Sequence, residues 1–154
     1  MISLCSEYAS LITIGLLAVD MAAVRLDGKA CAADLEERLK QRISECGVTP
    51  HLAVVIVGDD PASHVYVRNK IRSCERLGIK STHIEFPDDA SEDDVREAII
   101  SLNNDSSLHG ILIQSPLPKH MDEESLTDLI DPSKDVDGFH PANLGRIVQG
   151  RLDG

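Results

Sequence analysis

The chain has 154 residues, 42% of them hydrophobic, which suits one globular domain with a single sizeable core. Its formal net charge of −11 opposes binding to nucleic acid or to an anionic membrane surface, because both carry charge of the same sign. We therefore expect neither as a partner, although a basic group inside a cavity could still hold a small anion.

The cysteine and histidine pattern favours a protein without metal. The four cysteines are widely spaced and contain no C-x-x-C pair, which is typical of a reducing compartment. The six histidines are scattered, and none has the spacing to another histidine or to a cysteine that zinc sites use. We predict no metal site and a cytoplasmic location.

The first twenty residues contain the one long apolar run, at positions 9–19. That run is too short to cross a hydrocarbon core of ~30 Å. A signal peptide needs basic residues before its apolar run, but here Glu7 precedes the run and the first basic residue is Arg25. We expect residues 1–20 to be an extension outside the fold and residues 21–140 to form the domain.

The first half of the domain alternates helix and strand patterns. Residues 29–46 carry apolar side chains at three- and four-residue steps, which predicts an amphipathic helix. The apolar run LAVVIVG after Pro50 is typical of a strand buried on both faces of a parallel sheet. A second helix is predicted over residues 62–77, and a strand over Lys80 to Phe86.

The second half continues the alternation. Ser91 and Asp94 form a capping-box pattern that opens a helix ending near Asn104. GILIQ, residues 110–114, is a further buried strand, followed by the proline-bracketed loop SPLPK and a helix near Glu123 to Ile130. This order predicts an α/β fold, a three-layer sandwich with a mostly parallel sheet.

Residues 141–154 are polar and glycine-rich, and we interpret them as the beginning of an interdomain segment that stops in mid-course. Neither G-x-G-x-x-G nor G-x-x-x-x-G-K occurs in the sequence. The chain therefore carries no recognisable phosphate-binding loop.

Tyr66 and Lys70 lie four residues apart on the second predicted helix, so their side chains project from one face. The helix follows a buried strand, and open α/β folds bind ligands near the carboxyl edge of the sheet. A partly desolvated lysine there can act as general acid or base. An exposed lysine beside a half-buried tyrosine is the structural alternative, and the pair alone favours that alternative.

Two further polar residues are candidates. Gln114 ends a buried strand, where its amide could orient a water molecule or hold a lysine in one protonation state. It could equally cap its own loop. Asp137, in the loop KDVDGF with Asp135, could pair with an amidine-like heterocycle edge, or it could simply be solvated.

Taken together, these segments resemble the bifunctional methylenetetrahydrofolate dehydrogenase/methenyltetrahydrofolate cyclohydrolases from about Val24 onward. The motifs that carry the resemblance are DGKA (27–30), VGDDPASHVYVRNKIRSCERLGI (57–79), HGILIQSPLPKH (109–120) and PSKDVDGFHPANLGRI (132–147). The family's order and spacing are kept, which makes the set far more specific than any one motif.

The resemblance implies a role for each candidate. Lys70 would be the catalytic lysine, Gln114 would hydrogen-bond it, and Tyr66 would stack on the aminobenzoyl part of the folate. Asp137 would bind the amino-pyrimidine end of the pterin. The implied substrate-binding set is Tyr66, Val67, Arg68, Asn69, Lys70, Ile113, Gln114, Ser115, Pro116, Leu117 and Asp137. Asn143, Leu144 and Gly145 would lie near the nicotinamide of NADP.

The same resemblance implies an NADP-dependent oxidation of a tetrahydrofolate derivative followed by hydrolysis, in a cytoplasmic homodimer serving one-carbon metabolism and purine biosynthesis. Two features depart from the family. Ser115 stands where the family usually has leucine, and the family's C-terminal Rossmann domain, which would bind most of the NADP, is absent from these residues.

Two other interpretations remain beside this one. The chain could be an inactive folate-binding or dimer-forming module. A short-chain dehydrogenase with Tyr66 and Lys70 as its dyad has the same spacing, but such an enzyme needs a glycine-rich fingerprint upstream, which is missing.

Overall fold

The computed structural model describes residues 26–151, so the predicted extension over residues 1–20 lies outside the described residues. Contacts divide the chain into a unit of Met1–Asp34 and a unit of Leu35–Gly154. Of the first unit, only residues 26–34 are described, and they contain the beginning of the first helix. The fold and the site below belong to the second unit. The predicted domain boundaries stay a prediction.

A parallel sheet of three strands lies at the centre of the described residues: β1 (His51–Val57), β2 (Lys80–Phe86) and β3 (Gly110–Ile113). The strand order is β2-β1-β3, and Val54 of β1 is in register with both His83 and Leu112. Next to β3, an isolated parallel bridge joins Ile111 to Asp135. The predicted parallel sheet is confirmed.

Helices connect and follow the strands. They are α1 (Gly28–Cys46), α2 (Pro61–Leu77), α3 (Glu92–Asn104), α4 (Glu123–Thr127) and α5 (Pro141–Val148). Side chains at the helix starts accept hydrogen bonds from backbone N–H groups that would otherwise have no partner. Asp60 accepts from the Ser63 N–H, and Ser91 accepts from the Asp94 N–H. The predicted cap at Ser91 therefore forms, and Asp94 accepts in return from the Ser91 hydroxyl instead of from its backbone N–H.

The core has two parts because side chains alternate along β1. Ala53, Val55 and Val57 belong to a cluster with Val95 and Ile99 of α3. Other members of that cluster, from α3, β3, α4 and the loops, are Ala90, Leu102, Leu108, Ile111, Ile113, Met121, Leu126 and Ile130. On the opposite face, Val54, Ile56 and Leu112 pack with Val67 of α2. Helices therefore cover both faces of the sheet, which confirms the α/β three-layer fold.

The turn after β1 needs a glycine. Gly58 has φ +86°, and a Cβ there would lie 2.9 Å from Asp88 Oδ1 in the turn after β2. An L side chain would be both strained and crowded at this position. The close approach brings the loops after β1 and β2 together at the carboxyl edge of the sheet, the edge at which such folds bind ligands.

Three elements differ from the prediction. The helix predicted to reach Ile130 ends at Thr127, since Leu129 and Ile130 donate to carbonyls three residues back, which is tighter than an α-helix. Residues 141–154, for which no helix was predicted, contain α5, which begins with Pro141, a favoured first helical residue. The predicted apolar stripe of α1 buries no residue completely, and Leu35 is 54% exposed.

Within residues 26–151, no helix is long and apolar enough to cross a membrane. The apolar run at positions 9–19 lies outside the described residues, so its interpretation stays a prediction.

Neighbouring isoleucines on α3 test the core. Ile99 is 0% exposed and Ile100 is 46% exposed. We expect Ile99→Ala to lower the free energy of unfolding by about 2–5 kcal/mol, because it leaves a cavity between α3 and the sheet. Ile100→Ala is the matched control, with an expected change within about 0.5 kcal/mol. Urea denaturation measures both, and equal effects would contradict this packing.

Candidate functional site

Helix α2 positions the first two candidate residues. Its start is held by Asp60, and Pro61 occupies the first turn. Ser63, Val67 and Cys74 form its buried side. Lys70 lies half-buried beside this face, whereas Tyr66, one turn earlier, is 63% exposed. The tyrosine ring is therefore available to a ligand at the surface.

Gln114 meets Lys70 at the carboxyl end of β3. The Gln114 backbone N–H donates to the Val55 carbonyl at 2.9 Å, which extends the sheet pairing by one residue. Lys70 Nζ donates to Gln114 Oε1 at 3.1 Å, although the two residues are 44 positions apart. Gln114 Nε2 donates to the Ser115 carbonyl at 2.7 Å. Each end of the amide thus has its own partner.

The loop that carries Asp137 is held by its neighbour Asp135. The carboxylate of Asp135 accepts hydrogen bonds from the N–H groups of Gly138 at 3.0 Å and His140 at 2.9 Å, and from Asn143 Nδ2 at 2.9 Å. Gly138 has φ +72°, a conformation that favours glycine. The loop is therefore tied to the start of α5.

The two loop carboxyls have opposite pKa shifts. Burial raises the pKa of Asp137, the positive charge of Lys70 partly opposes that rise, and the negative charge of Asp135 adds to it. Burial would also raise the pKa of Asp135, but hydrogen bonds, led by the one from Asn143, outweigh burial and lower it. Asp137 and Lys70 therefore lie close enough for their charges to interact.

The proline-bracketed loop lies beside Gln114. Its Ser115–Pro116 peptide bond is cis. Ser115 Oγ donates to Glu123 Oε1 at 2.5 Å, and the Leu117 N–H donates to Glu123 Oε2 at 3.3 Å. Leu117 also packs against the larger core cluster. One carboxylate on α4 thus holds both sides of Pro116.

An open cleft of about 550 Å³ adjoins the aspartate loop. Its lining residues are Pro132, Ser133, Asp135, Val136, Asp137, Gly138, Asn143, Arg146, Ile147 and Arg151. Asp137 is the candidate that this cleft shares with a second, smaller depression, which Ser115 and Ile113 also line. The aspartate loop thus borders the region of Gln114 on one side and α5 on the other.

Not every predicted substrate-binding residue reaches this place with its side chain. The side chains of Val67 and Ile113 are buried in the core clusters. Arg68 and Asn69 are exposed, and the helical repeat turns Arg68 to nearly the opposite side of α2 from Lys70. For these residues, a side-chain contact with a ligand stays a prediction.

The three predicted cofactor residues lie on α5. Asn143 Nδ2 donates to the Pro132 carbonyl at 2.8 Å and to Asp135 Oδ2 at 2.9 Å. Both of its amide hydrogens are therefore used in hydrogen bonds to the aspartate loop. Leu144 and Gly145 are exposed. A contact between these residues and a nicotinamide stays a prediction.

Sequence reasoning did not assign a role to Asp135 as the loop anchor or to Glu123. Asp135 had a signal, because an aspartate three residues before a glycine is typical of a side chain that accepts from its own loop. Glu123 had none, since its contacts depend on how the proline loop folds back. Among residues 26–151, no group of three or more His, Cys, Asp or Glu side chains could hold a metal ion.

The arrangement suits proton transfer beside a polar heterocycle. Lys70 offers an ammonium group whose direction is set by Gln114. Asp137, with its raised pKa, can accept hydrogen bonds from N–H groups of a ligand and so replace the water lost on burial. Two groups of different chemistry thus converge at one sheet edge, a common feature of active sites.

Comparison with known proteins shows the same family throughout. The family model described as tetrahydrofolate dehydrogenase/cyclohydrolase, catalytic domain, matches residues 26–137. The bifunctional protein FolD of Chlorobium chlorochromatii is 52% identical over 132 residues, which are 83% of this chain and 45% of that protein. That of Nautilia profundicola is 48% identical over 128 residues, with 81% and 45% covered. The chain thus spans less than half the length of these relatives.

Solved structures agree with the sequence relatives. FolD methylenetetrahydrofolate dehydrogenase/cyclohydrolase from Campylobacter jejuni has a TM-score of 0.81 and 43% identity, covering 86% of this chain and 48% of that one. The Trypanosoma brucei enzyme, solved with NADP cofactor and inhibitor, has a TM-score of 0.77 and 30% identity, covering 81% and 44%. The chain therefore belongs to the tetrahydrofolate dehydrogenase/cyclohydrolase family.

Proposed function

We propose that this chain supplies the folate-binding half of an enzyme that interconverts one-carbon folates. The reactions are NADP-dependent oxidation of 5,10-methylenetetrahydrofolate to 5,10-methenyltetrahydrofolate and hydrolysis of the product to 10-formyltetrahydrofolate. The observation that carries the proposal is the hydrogen bond from Lys70 to Gln114 at the carboxyl edge of the sheet, in a chain of this family.

The hydrolytic reaction needs a group that moves protons. Water adds to the methenyl carbon between N5 and N10 and loses one proton, which gives a neutral carbinolamine. The bond from that carbon to N5 then breaks as the hydroxyl loses its proton and N5 gains one, so the formyl group stays on N10. Lys70 is half-buried and can shuttle these protons, while Gln114 keeps its amino group in one direction.

The remaining residues would hold the substrate. Asp137 would pair with the amino-pyrimidine end of the pterin through two hydrogen bonds, which replace hydration of its carboxylate. Tyr66 offers an exposed ring for stacking on the aminobenzoyl group. Ser115, Pro116 and Leu117 would line the space between these ends.

The described residues fit NADP poorly as its main binding site. The amide hydrogens of Asn143 are already used within the protein. Leu144 and Gly145 have no polar side-chain group with which to bind the coenzyme. The sequence also lacks a glycine-rich loop for the phosphates. We propose that NADP, the hydride acceptor, is bound mainly by parts of the enzyme outside these residues.

The finer assignments rest on the family. We propose a cytoplasmic homodimer whose formyl product serves purine biosynthesis. A second candidate function follows from the coverage, since the chain spans 45% of the length of the Chlorobium chlorochromatii relative. By itself the chain would then be a folate-binding or dimer-forming module without redox activity.

The central test replaces the lysine. We expect Lys70→Met to lower cyclohydrolase turnover ~100-fold or more, because a positioned acid/base group is lost. The assay follows methenyltetrahydrofolate absorbance in a chimera that joins this chain to the remaining part of the Chlorobium chlorochromatii relative. Lys80→Met is the matched control, since Lys80 is exposed at the opposite edge of the sheet.

Two outcomes of this experiment would count against the assignment. One is that Lys70→Met keeps more than about a tenth of the parent turnover, which is inconsistent with general acid/base catalysis by this residue. The other is that Lys80→Met loses as much activity as Lys70→Met, which would show a nonspecific effect of losing a positive charge.

The coenzyme proposal predicts different results for NADP reduction and for folate binding by the chain alone. The 154-residue chain alone should reduce no NADP with methylenetetrahydrofolate, because hydride transfer needs the nicotinamide held against the folate. Binding of 5-formyltetrahydrofolate, measured by isothermal titration, should survive in weakened form. NADP reduction by the chain alone, followed at the NADPH absorbance, would place the nucleotide site within these residues.

The raised pKa of Asp137 has a consequence for stability. The folded protein holds the Asp137 proton more tightly than the unfolded chain does, so ionisation of Asp137 disfavours folding. This cost is absent below the ordinary carboxyl pKa of about 3.9 and grows as pH rises through the raised value. Above the raised pKa the cost is complete.

We therefore expect Asp137→Asn to raise the thermal midpoint at pH 7 while weakening folate binding, with the stabilisation shrinking towards pH 3.5. Asp89→Asn, in the exposed turn after β2, is the control that removes the same charge elsewhere. Thermal unfolding at both pH values measures the difference from the parent chain. A midpoint gain that grows as pH falls would contradict the cause given for this shift.

A further inference from the structure

The carboxylate of Glu123 holds the loop that follows Gln114. Glu123 lies in the first turn of α4, which Asp122 caps and whose Leu126 is 0% exposed in the core. One oxygen of Glu123 accepts from Ser115 Oγ and the other from the Leu117 N–H at 3.3 Å. Pro116 has no N–H of its own, so its two neighbours are the groups through which a side chain can hold this loop.

The Ser115 carbonyl, in turn, decides which way the Gln114 amide faces. Gln114 Nε2 donates to that carbonyl at 2.7 Å, which leaves Oε1 to accept from Lys70 at 3.1 Å. If the amide rotated by half a turn, its NH₂ group would face the ammonium group, and two donors would meet. The position of Ser115 therefore determines whether Lys70 has an acceptor.

From these contacts we propose that Glu123 is a positioning residue for Lys70. It acts through Ser115 and Gln114 and touches neither the ammonium group nor a ligand. The hydrogen bonds form a continuous series from the ammonium group of Lys70 to the carboxylate of Glu123. The catalytic meaning of this inference rests on the proposed function, but the geometry can be tested without it.

The hydroxyl of Ser115 makes this series possible. A leucine at this position has no side-chain donor, so of the two bonds to Glu123 only the longer one, from the Leu117 N–H at 3.3 Å, would remain. The side chain at position 115 thus couples α4 to the amide of Gln114. The backbone carbonyl of Ser115 completes this connection, because it accepts from Gln114 Nε2.

The experiment reads the Gln114 side-chain amide by NMR in the whole 154-residue chain. We expect Glu123→Gln and Ser115→Ala to shift the Gln114 NH₂ signals and to speed their exchange with water about fivefold, the effect of weakening one hydrogen bond. Ser115→Thr keeps a hydroxyl and should restore the parent behaviour. Glu124→Gln removes the same charge from the next residue of α4 and should change neither quantity.

The same samples report on Lys70 through its side-chain Nζ and Cε signals at one fixed pH, which depend on the hydrogen bond to Gln114. We expect Glu123→Gln and Ser115→Ala to shift these signals, with Ser115→Thr and Glu124→Gln leaving them at the parent positions. Unchanged Gln114 signals and unchanged Lys70 signals in Glu123→Gln and Ser115→Ala would overturn the proposal. So would equal changes in Glu124→Gln, because they would show a general effect of charge.

Failure of the proposed function would appear separately. In that case the parent chain would not bind 5-formyltetrahydrofolate in the titration, whatever the NMR signals of Gln114 do. Unfolding of a variant is recognised from its backbone amide spectrum, and the pair Ser115→Ala and Ser115→Thr then decides the proposal, since both keep the charge of Glu123.

Discussion

The strand β1 is buried on both faces, and the rest of the described structure depends on that burial. Its side chains alternate between two apolar clusters, one under α2 and one under α3 and α4. Removing apolar surface from water contributes roughly 25 cal/mol per Å², so displacing either layer would expose a large apolar area. This constraint sets where α2 and β3 lie, and it brings Lys70 to Gln114 from 44 residues away.

The residues of the polar site are positioned by this packed framework. Lys70 comes from a helix on one face of the sheet and Gln114 from the end of β3. Asp137 comes from a loop that the Ile111–Asp135 bridge joins to the same strand. Hydrogen bonds lower the pKa of Asp135, whereas burial raises the pKa of Asp137. One aspartate therefore stabilises the loop, whereas burial of the other disfavours its ionised form.

The proline loop shows how the site also depends on weaker contacts. Glu123 joins a short helix to this loop through Ser115 and Leu117, and the loop orients the amide of Gln114. The helix is itself held by burial of Leu126. Core packing on one face of the sheet is thus connected to the direction of a polar group at its edge, through bonds that a substitution at position 115 can remove.

The sequence by itself determined the strands, most helix bounds and the cap at Ser91, because these depend on local patterns: the apolar run in β1, the period of α2 and α3, and Ser91 three residues before Asp94. It also named Lys70, Gln114 and Asp137 as candidates. The exposure of the α1 stripe, the early end of α4 at Thr127 and the contacts of Glu123 were decided by tertiary structure. These features depend on which surfaces meet after the loops close, and residue spacing along the chain carries no record of that.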